Sequence, residues 1–277
     1  MITFDSAKAD ILFNLLKKNG YYIDVGVRDG IHDNKTFLLY KNGWTGISID
    51  AHPDYTDICK AIRPNDTVIN IICGKDDDNC KFRYNWRGSF SSIYIKELDD
   101  SRNKLVDPKW YGDLNNNNSN DYLGFKNSIE HAKSSSLNTI IDEYNTDNKI
   151  INLLSIDVDG SERELLEHFD IKKYNPEFVC IEIEQHVSTI KRDNQFIIDY
   201  MKNNDYILLS VLGEDYIWCN NYENYLKGTF LINQINNDFD KIKQIPTIHP
   251  CTFFYKNNLK ISKENIDKYK EYIYSLF

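Results

Sequence analysis

The feature that most constrains this chain is an alternation of short apolar runs with amphipathic stretches. "YYIDVG", "WTGISID" and "DTVINIICG" are apolar runs, separated by "HDNKTFLLYKNG" and "PDYTDICKAI", which carry helical spacing. Pro53 stands where a helix would start and Gly43 where one would end. The rhythm fails over residues 76–136, where "KDDDNCKFRYNWRGSFSS" and "DLNNNNSNDY" show neither period, and it returns with "LNTIIDEYN", "IINLLSIDVDG", "SERELLEHFDI" and "EFVCIEIEQH". "IKRDNQFIIDYMKNND" then reads as a helix and "YILLSVLGEDYIWCN" as two strands or a hairpin about Gly213. Strand and helix signals in alternation imply βαβ units and a mostly parallel sheet with helices on both faces.

A chain of 277 residues with 41% hydrophobic content buries one good core. The expected organisation is one domain over residues 1–277, with an insertion at 76–136 and a C-terminal extension at 228–277. The extension reads as a strand, an irregular segment and a helix. The N-terminal stretch reads as an amphipathic helix through Leu12, capped by Asp5 or Ser6 and ended by Gly20. It has neither the basic start nor the cleavage site of a signal peptide, and no run reaches the roughly 18 apolar residues of a membrane span. The expectation is a cytoplasmic protein. The six cysteines form no CxxC pair, which implies reduced, buried thiols. A net charge of -9 argues against broad binding to nucleic-acid backbones.

The strand ends carry the chemistry. In an open parallel sheet, ligands sit beyond the carboxyl ends of the strands. "IDVGVRDG" places Asp24 on the first strand with Gly26 and Gly30 after it, a spacing that departs from the G-x-G-x-x-G pyrophosphate fingerprint. An acid there suits a cationic ligand, and S-adenosylmethionine carries an ammonium and a sulfonium. Asp50 ends the second strand, where an acid accepts hydrogen bonds from ribose hydroxyls. Cys73 and Gly74 close the third, where residues line an adenine pocket, and Asp76 to Asp78 follow as an acidic turn. Ser161 and Glu164 have the spacing of a capping box, with Glu167 on a solvated face. Asp157 is different, because a carboxylate in an apolar strand is costly unless paired or used. Glu182 and Glu184 lie on one face of the next strand by period two, with His186 beyond. Asp157, Glu182 and His186 are therefore the candidate catalytic set. Asp157, Glu182 and Glu184 are the candidate ligands for Mg2+ or Mn2+. Trp86 and Arg87, in the insertion, are candidate acceptor contacts.

These blocks, together with "GWTGISIDAHP", "LLSIDVDGSERELLEHFDIKKYNPEFVCIEIE" and "YIWCN", resemble in order and spacing those of the FkbM-type S-adenosylmethionine-dependent methyltransferases. The resemblance spans about 21–73 and 137–220. It implies a class I, Rossmann-like methyltransferase fold with a seven-stranded sheet and methylation of a hydroxyl, often on the sugar of a glycan or nucleotide-sugar. Asp24, Gly26 and Gly30 match the first cofactor motif, with Val27 and Arg28 replacing the commoner small and polar pair. Asp50 and Ala51 stand in the second motif, and Asp157 in the third, where Asp159 replaces the usual Glu. Two other readings compete. One is an RNA cap ribose 2'-O-methyltransferase, which calls for a Lys-Asp-Lys-Glu set; the sequence offers no lysine on the first strand or beside Glu182. The other is a catalytically inactive binding protein on the same fold.

Overall fold

The computed structural model describes residues 12–13, 17–85, 91–93, 126, 128–183, 191–238 and 250–276. The central sheet has seven strands: β1 (Tyr21–Val25), β2 (Thr45–Asp50), β3 (Thr67–Asn70), β8 (Leu153–Ile156), β9 (Phe178–Glu182), β10 (Ile207–Leu212) and β11 (Asp215–Cys219). Their spatial order is β10-β11-β9-β8-β1-β2-β3. The pairs β1–β2, β1–β8, β2–β3 and β8–β9 are parallel, and β11 runs antiparallel to both of its neighbours. β10 and β11 form the hairpin expected about Gly213.

Helices cover both faces because the central strands are buried on both. Tyr21, Ile23 and Val25 pack with α3 (Leu137–Tyr144), α4 (Glu162–Glu167) and α6 (Lys191–Asn203). Tyr22, on the opposite face by period two, packs with α1 (Phe37–Lys41) and with Phe178 and Ile217, and α7 (Tyr222–Asp238) joins that layer. Gly43 ends α1 as expected: its N–H reaches Tyr40 O while that of Trp44 reaches back to Leu39 O, the paired bonds of a Schellman turn. Pro53 opens α2 (Pro53–Ile62). α5 (Ile171–Tyr174) leads into β9. α8 (Pro250–Lys256) and α9 (Lys263–Tyr274) pack Phe254, Tyr269 and Ile273 against Ile58 and Ile62 of α2.

Four readings are corrected. The run "DTVINIICG" is two strands, because the chain leaves the main sheet at Ile71 and β4 (Ile72–Cys73) pairs instead with β7 (Ser128–Ser135). Residues 76–136, which showed no period, contribute β5 (Asp77–Tyr84), β6 (Ser92–Ile93) and β7 to a four-stranded sheet in the order β4-β7-β5-β6. The stretch after residue 221 is a helix, not a strand: Tyr225, Leu231 and Ile232 pack on the core, and Gly228 sits against Leu209. Gly20 is required not as a helix stop but because a β-carbon there would lie 2.4 Å from the Trp44 ring. Among the described residues Cys59, Cys73, Cys80, Cys180 and Cys219 are free and buried. Among the described residues no helix is long and apolar enough to cross a membrane.

Candidate active site

The parallel register brings four residues to one line. Val25 pairs with Ile49 and Ile156, and Ile156 with Ile181. Gly26, Asp50, Asp157 and Glu182 each stand one residue further along. They line a single cavity of about 440 Å³. Gly26 has φ +86, and a β-carbon there would fall 1.7 Å from the Asp157 carbonyl oxygen. It is a glycine because the Asp157 backbone crosses it.

Asp50 accepts hydrogen bonds from the N–H of Arg28 on one oxygen and of His52 on the other, both at 2.7 Å. Burial raises its pKa to about 6 against the pull of those two donors. Asp157 and Glu182 hydrogen-bond each other, and their titrations oppose. Burial disfavours the charge on both. The ammonium of Lys35 and the Glu182 hydrogen bond nevertheless hold Asp157 below the usual range, whereas burial and the Asp157 charge push Glu182 well above it. Of the two, Glu182 is therefore the one that favours keeping a proton, and Asp157 the one that favours the charge.

Lys35 was not anticipated, and it overturns the reading that no lysine neighbours Glu182. It is buried before α1, with Nζ 2.7 Å from Asp157 and 3.1 Å from Asp215 at the start of β11. Asp215 is opposite Glu182 in the antiparallel register. Burial favours neutral Lys35, but Asp157 and Asp215 outweigh it and raise its pKa well above the ordinary value. The cation between these carboxylates is thus the protein's own. Among the described residues no three His, Cys, Asp or Glu side chains are grouped to hold a metal ion. Glu184 and His186 lie outside the described residues, as do Trp86 and Arg87.

Other anticipated residues sit elsewhere. Asp24 does not line the cavity. Its carboxylate accepts from Asn34 Nδ2 at 2.8 Å and Thr36 Oγ1 at 2.5 Å and lies 3.7 Å from Arg63. Gly30 gives its carbonyl to Arg63 Nε at 2.9 Å. Its φ is +80 and a β-carbon would crowd the Arg63 side chain. Val27 is buried away from the cavity, as is Gly74, which packs on Ile93. Ala51 and Cys73 do line it, with Ile49, Ile71, Ile72, Phe82 and Ile93. Asp76 is neither idle nor in the cavity: it accepts from the Ser136 N–H at 2.8 Å, at the N-terminus of α3. The capping box at α4 is also corrected. Ser161 Oγ accepts instead from the Ile93 N–H, and Glu162, not Glu164, takes the N–H groups of Val158 and Gly160 at 3.1 and 3.2 Å. Burial raises the Glu162 pKa to about 7.

A family model described as the methyltransferase FkbM domain matches residues 24–208. The chain belongs to the FkbM methyltransferase family. Comparison with curated proteins and with solved structures found no match. The FkbM match begins at Asp24 and ends at Leu208, just inside β10, so it contains Asp50, Lys35, Asp157 and Glu182. It stops before Asp215.

Proposed function

We propose that the protein is an S-adenosylmethionine-dependent O-methyltransferase of the class I fold, acting on a sugar hydroxyl. The observation that carries this reading is the juxtaposition, in one cavity, of Asp50 at one strand end with the Lys35–Asp157–Glu182–Asp215 cluster at its neighbours. The strand order, with one antiparallel strand next to an edge, supports the class I assignment.

The residues present fit the cofactor. Each Asp50 oxygen receives one backbone donor, and a carboxylate has about four acceptor sites, which leaves room for two ribose hydroxyls. Ile71, Ile72, Cys73, Phe82 and Ile93 supply apolar walls for a planar base. Gly74, packed on Ile93, would support this wall from behind, while Asp24 and Gly30 hold the Arg63 network. When bound, S-adenosylmethionine supplies an electrophilic methyl on a sulfonium.

The chain's own part is alignment, charge and the proton. An acceptor hydroxyl held beside Asp157 would take that methyl, the C–S electron pair staying on sulfur. The hydroxyl proton becomes strongly acidic as the new bond forms, so a weak base suffices. Asp157, kept ionised by Lys35, takes it, and Glu182 stabilises the product through the shared hydrogen bond. Lys35 acts through Asp157, whose charged, proton-accepting form it stabilises. His186 and the acceptor contacts Trp86 and Arg87 remain proposals for the same site. Lys35 already neutralises Asp157 and Asp215, so this route calls on the chain's own cation.

The test is calorimetry with S-adenosylhomocysteine. Asp50→Ala should weaken binding by about 1–3 kcal/mol, the value of lost charged hydrogen bonds, in a folded protein. Wild-type affinity in that variant would remove the cofactor assignment.

A further inference from the structure

In the sequence, residues 76–136 offered candidate acceptor contacts, yet the strands they contribute reach the apolar end of the cavity. Phe82 of β5 and Ile93 of β6 are paired across the second sheet and line the cavity with Ala51, Ile72 and Cys73. Phe82, Ile93, Ala51 and Ile72 belong to one apolar cluster, so β5 and β6 form a roof that rests on the ends of β2 and β4.

One tie of this roof leads to Asp50. The Phe82 ring packs on Tyr84 with centroids 5.0 Å apart, and Tyr84 meets His52 edge-on at 5.8 Å. The N–H of His52 is one of the donors that hold the Asp50 carboxylate. The roof and the candidate ribose acceptor therefore share an anchor.

A second tie lies at the start of α4. Ser161 is 3% exposed and lines the cavity, and its Oγ accepts the Ile93 N–H at 3.2 Å. The Ile93 side chain also sits on Gly74, where an added β-carbon would come within 3.0 Å of its Cδ1. A serine at an N-cap ordinarily gives its oxygen to the first turn of the helix and stabilises it. Ser161 makes no such bond to α4. Its hydroxyl serves the roof instead, and the helix forgoes its cap.

Resting on the methyl-transfer reading, we infer that the β5–β6 pair is a clamp on the adenine base of the cofactor, with Phe82 and Ile93 against the base and Ser161 as the positioning residue that seats Ile93. The second sheet is then a cofactor-holding element added to the main sheet, and it sets the depth of the cavity's apolar end.

The experiment is calorimetry on the full chain with S-adenosylhomocysteine and with 5'-methylthioadenosine, which keeps the base and ribose but lacks the amino-acid end. Phe82→Ala should weaken both ligands by about tenfold or more, the usual effect of losing an aromatic contact to a base. Where that variant does not fold, Phe82→Leu, which keeps the apolar volume without the ring, should still weaken both by about threefold or more. Ser161→Ala should weaken both by about threefold to tenfold, and Ser161→Thr, which keeps the hydroxyl, should recover most of that loss. A role in stability alone would lower the melting temperature of these variants and leave the affinities of the folded proteins unchanged. Wild-type affinity in the folded Phe82 variant, or a loss confined to S-adenosylhomocysteine, would overturn the inference. Failure of the wild-type chain to bind either ligand would strike the methyl-transfer reading and the clamp with it.

Discussion

Two buried cations sit on one face of the sheet, and they differ in what closes over them. Arg63, after α2, is fully sealed. Its Nε and Nη2 donate to Gly30 O, Nη1 to Thr36 Oγ1 and Tyr22 OH, and Nη2 also to Asn34 Oδ1. A guanidinium has five N–H donors, and all five are used. Asp24 and Asp66 balance the charge at 3.7 Å each, and the rings of Tyr22, Phe37 and Tyr40 enclose it. Lys35 has a comparable acid count but opens onto the cavity, where the Asp157 side chain keeps 23% of its exposure. The first network has nothing left to offer a ligand. The second has a carboxylate and a positive charge facing one. Acid clusters of similar composition therefore divide into framework and chemistry according to whether every donor is already used.

The largest expected effect breaks the sealed side. Arg63→Met removes the partner of two buried carboxylates and should destabilise the protein by about 3–5 kcal/mol in denaturant unfolding. A loss under about 1 kcal/mol would mean that the network is not a framework.

The open side should respond in rate rather than in stability. Lys35→Met should lower kcat by roughly a hundredfold or more while S-adenosylhomocysteine affinity changes little. Its stability loss should be smaller than that of Arg63→Met, because Asp157 can reach water. Equal stability losses in the two variants would erase the contrast. Asp157→Asn should likewise depress kcat, by about 10²–10⁴-fold, with cofactor binding intact. A near-normal kcat would move the base to His186.

The smallest effect sharpens the comparison through pH. Glu162, against the open side, has its pKa raised to about 7 from 4.5. Between those values the folded chain keeps a proton that the unfolded chain has released, so stability falls as pH rises through that window. Glu162→Gln keeps an acceptor for Val158 and Gly160 but does not titrate, and it should flatten that fall by up to about 3 kcal/mol. His52, lowered to about 4 by burial, has the opposite slope between about 4 and 6.5. The readout is therefore the difference between variant and wild type across pH 4.5 to 7. Parallel profiles would show that Glu162 is not held protonated.

The open side was half legible in the sequence. Asp157 and Glu182 were found because strand ends in a parallel sheet converge, and an acid in an apolar run is conspicuous. Lys35 was missed because a lysine in a polar stretch reads as solvated. Its one signal is its place just before α1, where the helix dipole disfavours a cation. Asp215 hid in a turn, where acids are ordinary. Asp24 was placed at the ligand because an acid on the first strand suits a cationic ligand, but the sequence alone does not say which partner such an acid takes. Parity with Tyr22 sends it to Arg63. In the fold, periodicity gave the strands of the main sheet. It failed over residues 76–136, where short strands pair across long gaps, and at α7, where an apolar start suggested a strand.

The antiparallel position of β11 has a consequence for how the molecule is made. The wall around Gly26, Asp50 and Cys73 comes from the first part of the chain, whereas Asp215 enters with a strand that must insert between β9 and β10. Closing Lys35 onto Asp215 spans most of the sequence, and contacts of such separation form late. A chain still emerging from the ribosome would hold the Asp50 end of the cavity before it owned the other. Its lysine would be charged, buried on one side only, and short of an acid until the hairpin arrived.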